Sequence, residues 1–373
     1  MSAASASAFS LRDRLVDGGS RQQPLLERIR ASGRPVLMYG AGVYAYVLRR
    51  YLAACGIEPA GVIVDAAWRQ ADRFMGLPVR TTEESVAELD RCHVVVGIVN
   101  HPPCVRRLQA LGARDVHAID VPDYLNMPQP FMDRAFVVDR LAEFERAGAA
   151  FADELSRETY VALINAKIAE DPGLLASVVR RDRLYFPAEF PVGEEAVLID
   201  VGGYTGDTVR EFHALAGGRY RRIVSLEPDE GNFAALQATI GELGAERVLA
   251  VPLGAWDERA TLRLAPCEMN IDNRIAADGT RAIEVDTLDA IIDRAGVVPT
   301  LVKLDINGAE YRALCGAGRI LRQHRPRVVT RLHTREDLYR IPLLLAGAAP
   351  GMRLYLRQRD HMSMMAVLYA VPG

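Results

Sequence analysis

Asp200 closes an apolar run, Val197-Leu-Ile-Asp-Val201, and Gly202, Gly203 and Gly206 follow it before Asp207 and Thr208. Val209, Phe212 and Leu215 then recur at helical spacing. The stretch reads as a buried parallel strand, a tight turn and a helix N-terminus, the arrangement with which an α/β sheet holds a nucleotide-like ligand. Glycine there lets the backbone approach what it binds. A second run, Arg222-Ile-Val-Ser-Leu-Glu-Pro-Asp229, ends in Glu227 and Pro228. A carboxylate at the end of the second strand is placed to accept hydrogen bonds from both hydroxyls of a ribose. Further along, Gly254-Ala-Trp256, Asp305 and His333 each close or follow an apolar run. Chemistry-bearing residues thus gather at carboxyl ends of strands, where open α/β sheets bind ligands.

The elements that must position these residues alternate strand and helix. Asn232–Leu243 and Tyr311–Gln323 have helical periodicity; Glu246–Pro252, Thr300–Ile306, Arg327–His333, Met352–Gln358 and Met365–Val371 read as strands. Thr261–Leu264 and Arg281–Val285 read as short strands flanking a polar loop, Glu268–Gly279. Residues 34–120 form a second α/β pattern, with strands over Arg34–Gly40, Ala60–Asp65, Val94–Asn100 and Val116–Asp120. Here Gly40 and Gly42 are present, and Ala45 occupies the third glycine position, an allowed variant. Two readings stand: a nucleotide or sugar-nucleotide site using Gly40, Gly42 and Asp65, or a scaffold that has kept the turn and lost the ligand. Between the two patterns, the proline-containing Val121–Pro130 reads as a linker or lid. Phe136–Ala149 and Phe151–Lys167 read as helices. The expected organisation is a tail and helix over 1–33, a Rossmann-like unit over 34–120, a helical connection over 121–180 and the main sheet over 181–373.

A chain of 373 residues exceeds one ordinary core. The net charge of -3 gives no reason to expect nucleic acid. Five cysteines without a C-x-x-C pair point to a reduced, cytoplasmic setting and no zinc site. No apolar run approaches the ~20 residues of a membrane span. Met1–Ser10, rich in alanine and serine, is expected to be a disordered tail.

Together these pieces resemble the FkbM-type family of S-adenosylmethionine-dependent methyltransferases. Tyr185-Phe186, Asp200–Thr208, Leu226–Asp229, Asp286-Thr-Leu-Asp289, Lys303–Glu310 and the stretch from His333 to Val371 carry the resemblance. It implies a seven-stranded, Rossmann-like sheet whose last strand is antiparallel, preceded here by a smaller Rossmann-like α/β unit. It also implies O-methylation of a hydroxyl on a sugar, glycan precursor or related metabolite, with no metal required. Two departures stand out: Asn307 replaces the glutamate usual in Asp-x-Glu-Gly-x-Glu, and Leu332 replaces an aromatic before His333. On this resemblance the cofactor residues are Asp200, Gly202, Gly203, Gly206, Asp207, Thr208, Glu227, Pro228, Gly254, Ala255, Trp256 and Asp305. Trp256 reads equally as packing, and Tyr185 as lining of the cofactor mouth or as packing.

Methyl transfer to an alcohol needs two reactants held close and a base for the proton. His333 is the expected base, because imidazole titrates near ~6.5 and carboxylates near ~3.9. Asp305 would orient it, and Glu310 would cap its helix or bind the acceptor. The alternative is that His333 only bonds across strand ends. His93, His117 and His213 read as structural, and Arg319–Arg331 as a solvated helix end. The competing functions are a binding or assembly protein on a degenerate methyltransferase fold, hinted at by Asn307, and a nicotinamide-dependent oxidoreductase using residues 34–120. The expected partner is a small-molecule or saccharide acceptor, and a homo-oligomer is compatible with the sequence.

Overall fold

The computed structural model of the protein describes residues 9–121, 132–265 and 273–373. Most of Val121–Pro130 and part of the expected loop Glu268–Gly279 therefore lie outside the described residues, as do the first eight residues of the expected tail.

Residues 34–121 build a six-stranded sheet from β1 (Val36–Tyr39), β2 (Gly61–Val64), β3 (Arg73–Phe74), β4 (Leu77–Thr81), β5 (His93–Val96) and β6 (Asp115–Ala118). Its order is β3-β4-β2-β1-β5-β6, and every pairing is parallel except the β3–β4 hairpin. β1 and β5 are buried at every residue, so they read as continuous apolar runs rather than alternating ones. The β3–β4 hairpin was not expected: Pro78 interrupts its short apolar pattern, and its partner β3 has only two residues.

The C-terminal half holds the larger sheet. Its strands are β7 (Val197–Val201), β8 (Arg222–Leu226) and β9 (Val248–Val251), followed after an insertion by four more. The insertion contains β10 (Gly254–Trp256), β11 (Ala260–Ala265), β12 (Arg274–Ile275) and β13 (Arg281–Thr287), a small sheet of its own. Then come β14 (Leu301–Leu304), β15 (Arg327–Arg331), β16 (Met352–Gln358) and β17 (Ala366–Pro372). The seven-stranded order is β16-β17-β15-β14-β7-β8-β9, with β17 antiparallel to both neighbours, as the sequence led us to expect. The chain reverses direction between β7 and β14, and the crevice at their carboxyl ends is where such a sheet binds its ligand.

Several expectations change in detail. The expected connection does more than connect: its helices Arg134–Asp139, Leu141–Ala149 and Glu154–Ala169 belong to the core of the larger sheet. Phe144, Phe151 and Tyr160 are fully buried there, and the Ser156 hydroxyl accepts the Leu356 N–H at 3.0 Å. Phe9 reaches the same core beside Tyr160. The single helix expected over Tyr311–Gln323 is two, Glu310–Cys315 and Gly318–Gln323, because Gly316 presses against the Trp256 carbonyl where no side chain fits. Asp337–Ala348 is a helix that its internal Pro342 hides from periodicity.

The two sheets meet through the β16–β17 connection. Met362 is fully buried in the core of the smaller sheet, where the Tyr44 hydroxyl lies 3.3 Å from its sulfur. The Asp120 carboxylate accepts the Ser363 N–H at 3.3 Å. No described helix is long and apolar enough to cross a membrane.

Candidate active site

The turn after β7 is shaped by packing below it. Gly202 has φ +86°, and a Cβ there would lie 2.3 Å from the Asp305 carbonyl oxygen. Only glycine allows β7 and β14 to converge at this point. Under the turn, Lys303 is buried; its Nζ donates to the Gly202 carbonyl at 2.8 Å and pairs with Asp200 at 3.0 Å. The other Asp200 oxygen accepts the Ser225 hydroxyl at 2.7 Å. Burial pulls Lys303 down, but Asp200 and Asp305 more than restore it, so the ammonium stays charged.

A cavity of about 370 Å³ opens above this floor. Its lining includes Gly202, Asp207, Thr208, Glu227, Pro228, Gly254, Ala255 and Asp305 of the expected cofactor residues. Asp200, Gly203, Gly206 and Trp256 are not in the lining. Asp200 faces Ser225 and Lys303 instead, and Trp256 carries the Arg312 guanidinium 5.1 Å from its ring centre. Leu226, Leu253, Ile283 and Val285 supply apolar wall, the last two from the inserted small sheet.

Glu227, at the end of β8, is held among the described residues by main-chain hydrogen bonds alone. One oxygen accepts the Tyr204 N–H at 2.8 Å and the other the Asp229 N–H at 2.9 Å. Each oxygen keeps a lone pair for a ligand. Burial raises its carboxyl to about 7 against the opposing pull of those two N–H groups. Tyr204 holds φ at +46°, and across the cavity Asn307 holds +53°. Strained backbone at two lining residues is the kind of feature binding sites retain.

At the far side Asp305 closes β14. One oxygen lies 3.2 Å from His333 Nε2; the other accepts the Tyr185 hydroxyl and lies 3.5 Å from Arg331. Behind it His333 Nδ1 meets Glu310 at 2.7 Å. Glu310 also accepts the N–H groups of Ile306 at 2.6 Å and Gly308 at 2.9 Å, fixing the turn that carries Asp305. The order is the reverse of the expected one. Asp305 lines the cavity with 21% of its side chain exposed, whereas His333 and Glu310, at 2% and 0%, lie behind it. Burial pulls the imidazole down, but Glu310 and Asp305 outweigh it and hold His333 at about 9. At neutral pH it is an imidazolium donating to two carboxylates. Burial pushes Asp305 up, yet Arg331 and His333 hold its carboxyl well below the usual range.

Sequence reasoning gave no role to Lys303 and misplaced Arg331. Arg331 is buried at the end of β15 and turned into the cavity, not solvated with the helix end before it. The signal was its position, one strand-end residue before Leu332 and His333. His213 bonds to Tyr220, and His93 and His117 face each other at 3.4 Å, away from both cavities' linings.

A seven-stranded sheet with one antiparallel strand, and a cavity at its switch point, defines the methyltransferase-type α/β fold. Residues 200–361 match the family model of the methyltransferase FkbM domain. No curated protein matches the chain. Among solved structures, the methyltransferase FkbM from Methylobacillus flagellatus KT is 19% identical, with 94% of each chain covered and a TM-score of 0.65. That likeness is one of fold, and it extends over both sheets. An rRNA methylase from Streptococcus thermophilus overlaps 48% of this chain and 89% of its own at 11% identity, with a TM-score of 0.32. Fibrillarin from Aeropyrum pernix, solved with bound S-adenosyl-L-methionine, overlaps 48% and 69% at 12% identity and a TM-score of 0.33.

Proposed function

We propose that the chain is an S-adenosylmethionine-dependent O-methyltransferase acting on a hydroxyl of a sugar or glycan precursor. The observation that supports it most is the pairing of Glu227 and Asp305 in one cavity, one carboxylate at each end. The lining suits this cofactor. Glu227 has free lone pairs for two ribose hydroxyls, the apolar wall suits an adenine, and Asp207, Glu227 and Asp305 outnumber Lys303 and Arg331, which favours a cation. When bound, the cofactor supplies an electrophilic methyl group on a positively charged sulfur.

The chain's own residues then hold the acceptor and take its proton. Asp305 presents a carboxylate to the acceptor hydroxyl, fixed by Tyr185, Arg331 and His333. Its low basicity is no obstacle. A hydroxyl oxygen acquiring a methyl group becomes a far stronger acid than a carboxylic acid, so a positioned carboxylate accepts the proton as the new bond forms. His333 and Glu310 act through Asp305 by holding it ionised and in place. Lys303 fixes the glycine turn to the strand that carries Asp305.

Calorimetry with S-adenosylmethionine and S-adenosylhomocysteine tests the reading. One site per chain is expected for each, weakened in Glu227→Ala. A folded protein that binds neither would refute it.

A further inference from the structure

A second cavity, of about 830 Å³, opens at the carboxyl ends of β1, β2 and β5 in the smaller sheet. That is the switch point of this sheet too, since β1 lies between β2 and β5 and the crossovers diverge there. Val43 and Met364 line both cavities, so two side chains form the wall between them. Five large apolar side chains are exposed among the described residues, and two of them, Val43 at 51% and Trp68 at 70%, belong to this cavity. Exposed aromatic and aliphatic surface gathered at a cavity marks a ligand's place more often than a fold's need.

The two cavities differ in the charge of their linings. The first carries three carboxylates against two cations. The second carries Asp65 and Arg73, and Asp65 is already ion-paired with Arg107 and accepts the Thr82 hydroxyl at 3.0 Å. Its charge is thereby countered, and the two lining charges sum to zero. The helix Val43–Ala54 points its N-terminus at this cavity, with no side chain capping that end and no acidic residue in the first turn. A ligand with an anionic middle, a flat end for Trp68 and a third part reaching past Val43 fits this layout.

We infer that this second cavity holds the nucleoside diphosphate of a nucleoside-diphosphate sugar, whose sugar passes Val43 and Met364 to present its hydroxyl to Asp305. The inference rests on the methyltransferase reading for the second half of that statement only. The acceptor's carrier thus binds one sheet and its reacting group the other. This gives the smaller sheet a task, and explains why the β16–β17 connection is anchored in its core.

The test is calorimetry on the full chain with UDP, GDP, CDP, ADP and dTDP, each with and without S-adenosylhomocysteine, and with NAD⁺ as comparison. One nucleoside diphosphate should bind. Gly42→Asp should weaken it by about tenfold or more, by placing a carboxylate where the diphosphate sits. That variant should fold, because nothing lies within 4 Å of a Cβ at Gly42 and aspartate is a favoured helix cap. Trp68→Ala, at an exposed site, should also weaken binding, and neither variant should alter S-adenosylhomocysteine affinity. No binding of any diphosphate up to about 1 mM, binding untouched by both variants, or tighter binding of NAD⁺ would overturn the inference. Nucleotide binding without any cofactor binding would refute the methyltransferase reading and leave the nucleotide site standing; cofactor binding without nucleotide binding would do the reverse.

Discussion

The chain contains the same turn twice, and the two copies hold their strand-end carboxylates differently. Each has a buried strand, a glycine with positive φ, Gly40 at +110° or Gly202 at +86°, and a helix leaving the turn. Each has an acidic residue just after the second strand, Asp65 or Glu227. Among the described residues Glu227 has main-chain N–H groups alone as hydrogen-bond partners, which leaves each oxygen a lone pair for a ligand's hydroxyls. Asp65 is ion-paired with Arg107 and bonded to Thr82. The two turns share a topology, and what differs between them is the set of neighbours around one carboxylate.

The largest effect expected is at Asp305. Asp305→Asn should lower kcat by ~10²–10⁴, while S-adenosylhomocysteine affinity in calorimetry stays within a few-fold. A drop of under tenfold would remove Asp305 as proton acceptor. Glu227→Ala comes next. Leaving a ribose diol without its acceptor should cost ~1–3 kcal/mol of cofactor affinity. Asp65→Ala, in the other copy of the turn, should cost none. Equal losses in the two variants would erase the distinction between the turns.

The first cavity also predicts pH dependence. Glu227 is raised to about 7 by burial, and only its ionised form accepts from two hydroxyls. Cofactor affinity should therefore fall about tenfold per pH unit below 7 and be flat in Glu227→Gln. His333 works in the other direction. Its folded value of about 9 exceeds the unfolded ~6.5, so its contribution to stability is complete below 6.5 and lost as pH rises through 9. Urea midpoints measured from pH 6 to 10 should decline over that window in the parent and not in His333→Gln.

The two sheets and the position of Glu227 at a strand end were legible because buried parallel strands advertise themselves as apolar runs ending in a polar residue. The roles of Asp200, Trp256 and His333 were not, for one reason. A strand-end position says that a residue is near the crevice, but which side of the turn its side chain takes depends on partners far away in sequence. Ser225 and Lys303 draw Asp200 beneath the turn; Glu310 draws His333 behind Asp305. Arg331 was misread because a run of arginines suggests solvent, whereas its strand ends in a cavity whose Asp305 needs a counter-charge. The β3–β4 hairpin and the helix containing Pro342 were hidden by prolines that tertiary contacts tolerate.

The smallest effect concerns Ala45, which stands where the first turn would have its third glycine. That position requires close approach of helix and strand, and a methyl group there must be accommodated opposite. Opposite it is Gly97, where an added Cβ would lie 2.9 Å from the Ala45 Cβ. That Cβ would also lie 3.0 Å from the Ala45 Cα, so removing the Ala45 methyl group relieves the closest part of the contact and leaves the rest tight. Ala45→Gly should therefore cost only the helix penalty of glycine, ~1 kcal/mol. Gly97→Ala should cost ~1–3 kcal/mol from overpacking. The double variant restores one methyl to the contact, and should be more stable than Gly97→Ala alone. Chemical denaturation of the four proteins measures the coupling, which should be favourable by ~0.5 kcal/mol or more. Additive losses would mean that the helix rides clear of β5, and that the first turn has lost the geometry that makes it comparable with the second.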